Sequence, residues 1–216
     1  MKTSFFFRLI LPGLAILSFI GQLFFYPGLP ERIPIQWGSD GQVNSYGPAY
    51  MALVLAALPF AVWLLMQILP KIDPRRRSYA QHAKAYHIFT AAIVFVLIAA
   101  SWVSTLTARG VSLRFSIAHI ISVLIGLLFI IIGNYMPQIR SNYTFGIKTP
   151  WTLDDPEVWR KTHKLGGILF CLMGACFILS VFFTPAWTRF IALSVVIASL
   201  IVTYVYSYLL YRRRNS

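Results

Sequence analysis

Long, uninterrupted runs of apolar residues dominate the chain, and polar residues are confined to the short segments between them. A helix that crosses a hydrocarbon core of roughly 30 Å needs about 20 such residues. Six runs qualify: Phe5–Phe25, Tyr50–Leu69, Ile88–Leu106, Phe115–Gly133, Leu165–Phe183 and Phe190–Tyr211. Because these runs show no alternation, the pattern predicts an all-α, polytopic membrane protein with six transmembrane helices.

The composition supports this class. Of the 216 residues, 58% are apolar and 12% are charged, against roughly 45–50% and about 25% in soluble domains. An ordinary soluble enzyme is therefore excluded. Lys2 and Arg8 could open a signal peptide, but Gly21 to Tyr26 offers no small-residue cleavage site, so the first run is interpreted as a span.

The basic residues predict the orientation of the spans. With the N-terminus in the cytoplasm, only four of the 19 basic residues fall outside: Arg32, Arg109, Arg114 and Arg189. Since Lys and Arg near span ends stay in the cytoplasm, we expect an N-in, C-in topology. Attraction of these clusters to anionic lipids explains the net charge of +13 without direct binding to nucleic acid.

The polar segments divide the chain into three parts. Residues 1–70 form an N-terminal two-span module with an extracellular, hairpin-like loop at 26–49. Residues 71–87 form a basic cytoplasmic loop. Residues 88–216 form a four-span domain with a cytoplasmic motif loop at 134–164.

The spans carry little that catalysis or coupled transport would use. All six acidic residues lie in loops, which argues against a proton- or sodium-coupled pump. Neither a nucleophile–base pair nor a phosphate-binding loop is present, so we expect no enzyme and no cofactor. The four histidines are scattered, and Cys171 and Cys176 point to different helix faces, so no metal site is expected. The sequence is still compatible with an uncoupled pore lined by Ser, Thr, Gln22 or Gln67.

The outer loop is rich in turn-forming residues. Its prolines predict a stiff chain that leaves the membrane and enters a short hairpin turning near Gly41. Trp37 and Tyr46 have two equally good explanations. They could belong to the belt of aromatic residues at the membrane interface, or they could bind a partner. The candidate site residues in this loop are Pro34, Gln36, Trp37, Asp40 and Gly41.

The inner loop has its own local signals. Asn134 and Pro137 end the fourth span, Gly146 permits a turn, and Pro150 forces Thr149 to be extended. Asp155 before Pro156 predicts a helix N-cap, and the helix that follows places Trp159 and His163 on one face. Small residues in the fifth span, Gly166, Gly167 and Gly174, predict a groove in which another helix packs closely.

These segments also resemble a known family. The motifs Gly133-Asn134-Tyr135-Met136-Pro137, Asn142 with Gly146-Ile147-Lys148-Thr149-Pro150-Trp151-Thr152-Leu153, and Val158-Trp159 with His163 closely resemble the SdpI family of bacterial membrane proteins. The outer loop is similar to an N-terminal module with a Pro-x-x-Ile-Pro pattern, in which relatives commonly carry His at the position of Gln36.

The resemblance implies an immunity protein in the bacterial cytoplasmic membrane, which protects its producer against a secreted antimicrobial peptide toxin. It also implies a cytoplasmic transcriptional repressor that the founding protein holds at the membrane. The residues that would bind the toxin or partner are Asn134, Pro137, Asn142, Gly146, Ile147, Thr149, Pro150, Trp151, Thr152, Trp159 and His163.

Three other interpretations fit the sequence. The inner loop could only plug the bundle, with its aromatic side chains anchored among lipid headgroups. Pro12 and Pro59, as helix breakers, would suit an uncoupled transporter or channel. The basic segment between Lys71 and Lys84 would suit a membrane sensor that recruits a cytoplasmic regulator without immunity activity.

Overall fold

The computed structural model describes residues 5–38, 40–183 and 185–215. For residues 185, 186, 188 and 189, the backbone is described but the side chain is not. Lys2 and the side chain of Arg189, which both entered the charge count, therefore lie outside the described residues.

Helices make up most of the described chain. They are α1 (Leu11–Phe25), α2 (Met51–Ile72), α3 (Ala83–Ala108), α4 (Ile117–Tyr135), α5 (Pro150–Asp154), α6 (Pro156–Leu179) and α7 (Pro185–Asn215). Two strands, β1 (Arg32–Trp37) and β2 (Val43–Pro48), lie between α1 and α2. A π-helical turn, Phe6–Ile10, precedes α1. Within the described residues, six helices are long and apolar enough to cross a membrane, as the sequence predicts.

Several boundaries differ from the sequence-based ones. The prediction that Pro59 breaks a helix is wrong, because α2 continues through Pro59 and Pro70. Pro12 lies near the start of α1, directly after the π-helical turn, and the helix continues through it without a break. Helix α3 begins at Ala83, inside the segment predicted as a basic loop, and α6 begins inside the segment predicted as the motif loop. In both places the helix extends beyond the apolar run; the start of α6 agrees with the N-cap predicted at Asp155, whereas the start of α3 was not predicted.

Helices α4 and α6 pack at two glycine pairs, Gly126 with Gly174 and Gly133 with Gly167. A Cβ added to Gly126 would lie 2.7 Å from the carbonyl oxygen of Gly174, and one added to Gly133 would lie 2.6 Å from that of Gly167. Only glycine allows the two backbones to approach so closely. The groove predicted on the fifth span is therefore present, and α4 fills it.

Side-chain hydrogen bonds join α1 to α3 within the apolar bundle. The Gln22 amide donates to Ser101 Oγ at 2.7 Å, and its oxygen accepts from Thr105 Oγ1 at 2.7 Å. Trp102 Nε1 donates to Ser18 Oγ at 2.9 Å. Because both polar ends of the Gln22 side chain are bonded to α3 and the residue is only 1% exposed, it joins helices instead of lining a pore.

Strands β1 and β2 form an antiparallel hairpin with an irregular register between Pro34 and Gln36. Ser104 Oγ in α3 donates to the Pro34 carbonyl at 2.6 Å. Gly41 turns the chain with a φ of +78°, and Asp40 accepts a hydrogen bond from the backbone of Gln42 at 3.0 Å. The predicted hairpin is thus present, and its contacts place it at the C-terminal end of α3.

We expect Gly133→Ala to lower the melting temperature of the purified protein in detergent. Its Cβ would press on the Gly167 carbonyl, and overpacking of this kind costs roughly 1–3 kcal/mol. Gly13→Ala is the matched control, because a Cβ at Gly13 meets no atom within 4 Å and alanine favours a helix. Equal stability of Gly133→Ala and the wild type would contradict the close packing of α4 on α6.

Candidate functional site: the loop between α4 and α6

Residues 136–155 join α4 to α6 at the end of the bundle opposite the hairpin. From here on we call these residues the motif loop; they are a shorter segment than the loop predicted at 134–164. The loop contains a 3₁₀ turn, Met136–Gln138, and the short helix α5. The stretch 139–149 between them has no helix or strand, so its backbone groups need other partners. Side chains supply most of these partners.

Asp73, which follows α2, is one such partner and is 4% exposed. Its carboxylate accepts hydrogen bonds from the backbone N–H of Arg75 (2.7 Å) and Tyr143 (3.0 Å), and from the hydroxyls of Tyr79 (2.9 Å) and Thr144 (2.6 Å). Burial raises the pKa of Asp73, but these bonds outweigh it and hold the pKa below the usual 3.8. In the sequence Asp73 is only one of six acidic residues in loops, and this role was not predicted.

Arg75, which like Asp73 lies in the connection between α2 and α3, bonds to both ends of the motif loop. Its guanidinium donates to Ser141 Oγ and, at 2.9 Å, to the Leu153 carbonyl. The guanidinium carbon also lies 4.6 Å from the centre of the Tyr143 ring. Arg75 is therefore a structural cation in addition to its place in the basic segment.

His82 lies beneath the loop and is 2% exposed. Its Nδ1 accepts a hydrogen bond from the backbone N–H of Arg140 at 3.2 Å, and its ring packs against Tyr79 and Phe145. Burial, together with the charge of Arg140, lowers the pKa of His82 to about 4. The imidazole is therefore neutral at pH 7.

Asn142 folds the middle of the loop and is fully buried. Its amide oxygen accepts from the backbone N–H of Thr144 at 2.9 Å and of Phe145 at 2.8 Å, and its amide nitrogen donates to the Arg140 carbonyl at 2.9 Å. An asparagine side chain can replace a backbone turn in this way. The polar groups of Asn142 are thus engaged within the chain.

Trp159 and His163 form a stacked pair in α6, with ring centres 4.1 Å apart. Trp159 Nε1 donates to the Ile139 carbonyl at 2.8 Å. His163 Nε2 accepts from the backbone N–H of Ile147 at 3.0 Å, so Nδ1 carries the proton and donates to the Trp159 carbonyl at 2.9 Å. Gly146 has a φ of +110°, and a Cβ there would lie 2.5 Å from His163 Nε2.

Thr149 and Thr152 form a capping box at the start of α5. Thr149 is extended, with φ −114° and ψ 161°, as the proline after it predicts. The Thr152 hydroxyl donates to the Ile147 carbonyl at 2.9 Å, and Thr149 Oγ1 donates to Ser207 Oγ of α7 at 3.1 Å. The box therefore joins the loop to the last helix.

Two further contacts fix α5 on α7. The Trp151 ring lies 4.9 Å from the Tyr204 ring and 5.1 Å from the Tyr208 ring, measured between centres. The Tyr211 hydroxyl donates to Asp154 at 2.6 Å. Trp151 is half-buried, so one edge of its ring stays accessible.

The predicted N-cap of α6 is confirmed. Asp155 accepts hydrogen bonds from the backbone N–H of Glu157 (2.7 Å) and Val158 (3.3 Å), and its second oxygen accepts from Arg214 at 2.6 Å. Burial raises the pKa of Asp155, but these bonds outweigh it and lower the pKa below 3.8. Glu157 also pairs with Lys161, four residues further along the helix, at 3.5 Å.

The structure separates the predicted site residues into groups. Five of them are buried within or beneath the motif loop: Asn142, Thr149, Thr152, Trp159 and His163. Two are half-buried, Ile147 and Trp151. The other four are exposed: Asn134, Pro137, Gly146 and Pro150. The outer-loop candidates Pro34, Gln36, Trp37, Asp40 and Gly41 lie at the other end of the bundle. Because Trp159 is only 2% exposed, it is not a headgroup anchor.

The fold is that of a multi-pass membrane protein whose motif loop is held by side chains. Comparisons with known proteins show which proteins the chain is similar to. The SdpI/YfhL protein family matches residues 138–207, and a domain of unknown function, DUF1648, matches residues 13–65. Over 199 residues the chain is 26% identical to the immunity protein SdpI of Bacillus subtilis (strain 168), covering 92% of this chain and 93% of that protein. No solved structure matches the chain.

These matches confirm the resemblance to the SdpI family. Together with the six apolar helices, they make the chain a multi-pass protein of the bacterial plasma membrane. The matched segment, 138–207, begins inside the motif loop and ends at Ser207, the α7 residue that Thr149 contacts.

We expect the wild type to lose stability as the pH falls from 6.5 towards 4. The folded state binds the His82 proton only near pH 4 and the unfolded chain near pH 6.5, so the contribution of His82 to stability is complete above pH 6.5. Below that pH it decreases by up to about 1.4 kcal/mol per pH unit. Unfolding of purified protein between pH 7 and 4.5 measures this slope.

His82→Gln, whose side chain can still accept from the Arg140 backbone, should flatten the profile. His119→Gln is the control, because His119 is exposed and lies in α4 near its N-terminal end. A profile of His82→Gln as steep as that of the wild type would show that His82 does not carry this proton.

Proposed function

We propose that this chain is an immunity protein, which protects the bacterium that makes it against a secreted, membrane-active antimicrobial peptide. The observation that carries the proposal is the match to a protein named as an immunity protein over more than nine-tenths of both chains. That match includes the N-terminal module with its hairpin as well as the motif loop. The proposed activity is a binding function without catalysis.

We assign different tasks to the two ends of the bundle. At the motif loop, Asn142, Thr152 and His163 are buried and bonded to the loop's own backbone. The loop therefore holds α6 and α7 in place. Toxin contact is assigned to the hairpin end, where Gln36 and Tyr46 are exposed, and to the lipid-facing sides of the helices.

The proposed orientation places the motif loop in the cytoplasm and the hairpin outside. Basic residues concentrated at the motif-loop end support it, because such residues remain cytoplasmic. Among the described residues they include Arg75, Arg76, Arg77, Arg140, Lys148, Arg160, Lys161, Lys164, Arg212, Arg213 and Arg214. In this orientation a peptide that arrives from outside meets the hairpin first.

Signalling to a cytoplasmic repressor is a further part of the proposal. The exposed cations at the motif-loop end would attract a partner with an acidic face. Tyr143, 47% exposed beside Arg75, and the accessible edge of Trp151 supply aromatic surface there. The loop would then transmit movements of α6 and α7 to that partner through Thr149 and Ser207.

Survival of a toxin-sensitive bacterium tests the proposal. Cells that express the wild type should survive challenge with the secreted peptide encoded nearest to its gene. Trp151→Ala should lose protection, because it removes the packing of α5 on Tyr204 and Tyr208. Trp151→Phe, which keeps a ring there, should protect, and all variants are compared at equal abundance in the membrane.

Two outcomes would count against the proposal. A well-expressed wild type that gives no protection would contradict immunity towards that peptide. Full protection by Trp151→Ala would leave immunity standing but remove the motif loop from its mechanism.

A further inference from the structure

An apolar cleft runs between α4, α6 and α7, directly beneath the motif loop. Its volume is about 370 Å³. The walls are formed by side chains from all three helices, and Lys148 lies at the motif-loop end. The wall residues include Phe129, Phe170, Met173, Val196 and Leu200. We call this space the lateral cleft.

The position of the lateral cleft determines what can fill it. Leu200 and Tyr204 on α7 are 64% and 54% exposed, so the cleft opens sideways towards the surrounding lipid. Thr203, a polar residue in the wall, donates its hydroxyl to the Ser199 carbonyl of its own helix at 2.8 Å. Water finds few partners in such a space, whereas lipid chains are the solvent around it.

Lys148 adds a charge at the mouth of the cleft. Its ammonium donates to the carbonyls of Tyr143 at 3.2 Å and Thr144 at 3.0 Å. An ammonium has three N–H donors, so one remains for another acceptor. The ion pairs found among the described residues engage Glu157 and Asp155, and neither involves Lys148.

We propose that the lateral cleft binds one anionic phospholipid, with an acyl chain between the helices and the headgroup phosphate on Lys148. Basic pockets between transmembrane helices recognise lipid headgroups in this way. The apolar walls suit an acyl chain, and the single cation at the mouth suits an anionic headgroup.

Purified protein in detergent tests the site without any toxin. Phosphatidylglycerol or phosphatidylcholine is added, the melting temperature is recorded, and retained lipid is counted by native mass spectrometry. The wild type should keep one phosphatidylglycerol per chain and be stabilised more by it than by phosphatidylcholine. Lys148→Gln should bind phosphatidylglycerol about fivefold more weakly, which corresponds to about 1 kcal/mol for one basic residue at a membrane surface.

Two further variants make the test specific. Lys164→Gln is the matched control, because Lys164 is an exposed lysine of α6 that does not line the cleft. It should bind lipid as the wild type does. Val196→Trp should fill the cleft and displace the lipid, while gel filtration and melting without lipid show whether it is folded.

The proposal is overturned if the wild type binds both lipids equally, or if Lys148→Gln and Lys164→Gln behave alike. A folded Val196→Trp that still retains phosphatidylglycerol also overturns it. If that variant keeps the lipid but loses protection against the toxin, the cleft belongs to a peptide instead.

Discussion

The backbone of an irregular loop must find hydrogen-bond partners, and in this protein buried side chains provide them. Asp73, Asn142, Thr152 and His163 accept the N–H groups of five residues in a seven-residue stretch: Tyr143, Thr144, Phe145, Ile147 and Thr149. An unpaired buried amide costs about 1–3 kcal/mol, so these bonds, one buried and four partly buried, stabilise the loop. The motif residues of this chain therefore largely serve to fold its own loop.

The loop and the helices around it depend on one another. Glycine pairs bring α4 and α6 close together, which lets the loop return over their ends and lets Trp159 donate to the Ile139 carbonyl. The capping box then connects the loop to Ser207, and Asp73 connects it to the end of α2. These bonds join the helices to the motif loop at this end of the bundle.

Much of this arrangement follows from local sequence. Run length predicted the six spans, and the Asp155–Pro156 pair predicted the start of α6 and, with it, the facing of Trp159 and His163. The contacts of Asp73 and His82 with the motif loop could not be predicted, because Tyr143 and Arg140 lie 70 and 58 residues away and leave no periodic signal. The one indication of these contacts in the sequence was a single acidic residue, Asp73, close to three arginines. Helix α5 was missed because a five-residue helix is shorter than any window of periodicity.

Hydrogen–deuterium exchange of the purified wild type tests whether side chains hold the motif loop, since it reports backbone hydrogen bonds in the absence of any partner. If side chains hold the motif loop, the amides of Tyr143, Thr144, Phe145, Ile147 and Thr149 should exchange slowly. The exposed connector between α3 and α4 at residues 112–115 serves as the fast internal reference. Motif-loop amides that exchange as fast as that connector would contradict the account, because the loop would then acquire its structure only on binding a partner.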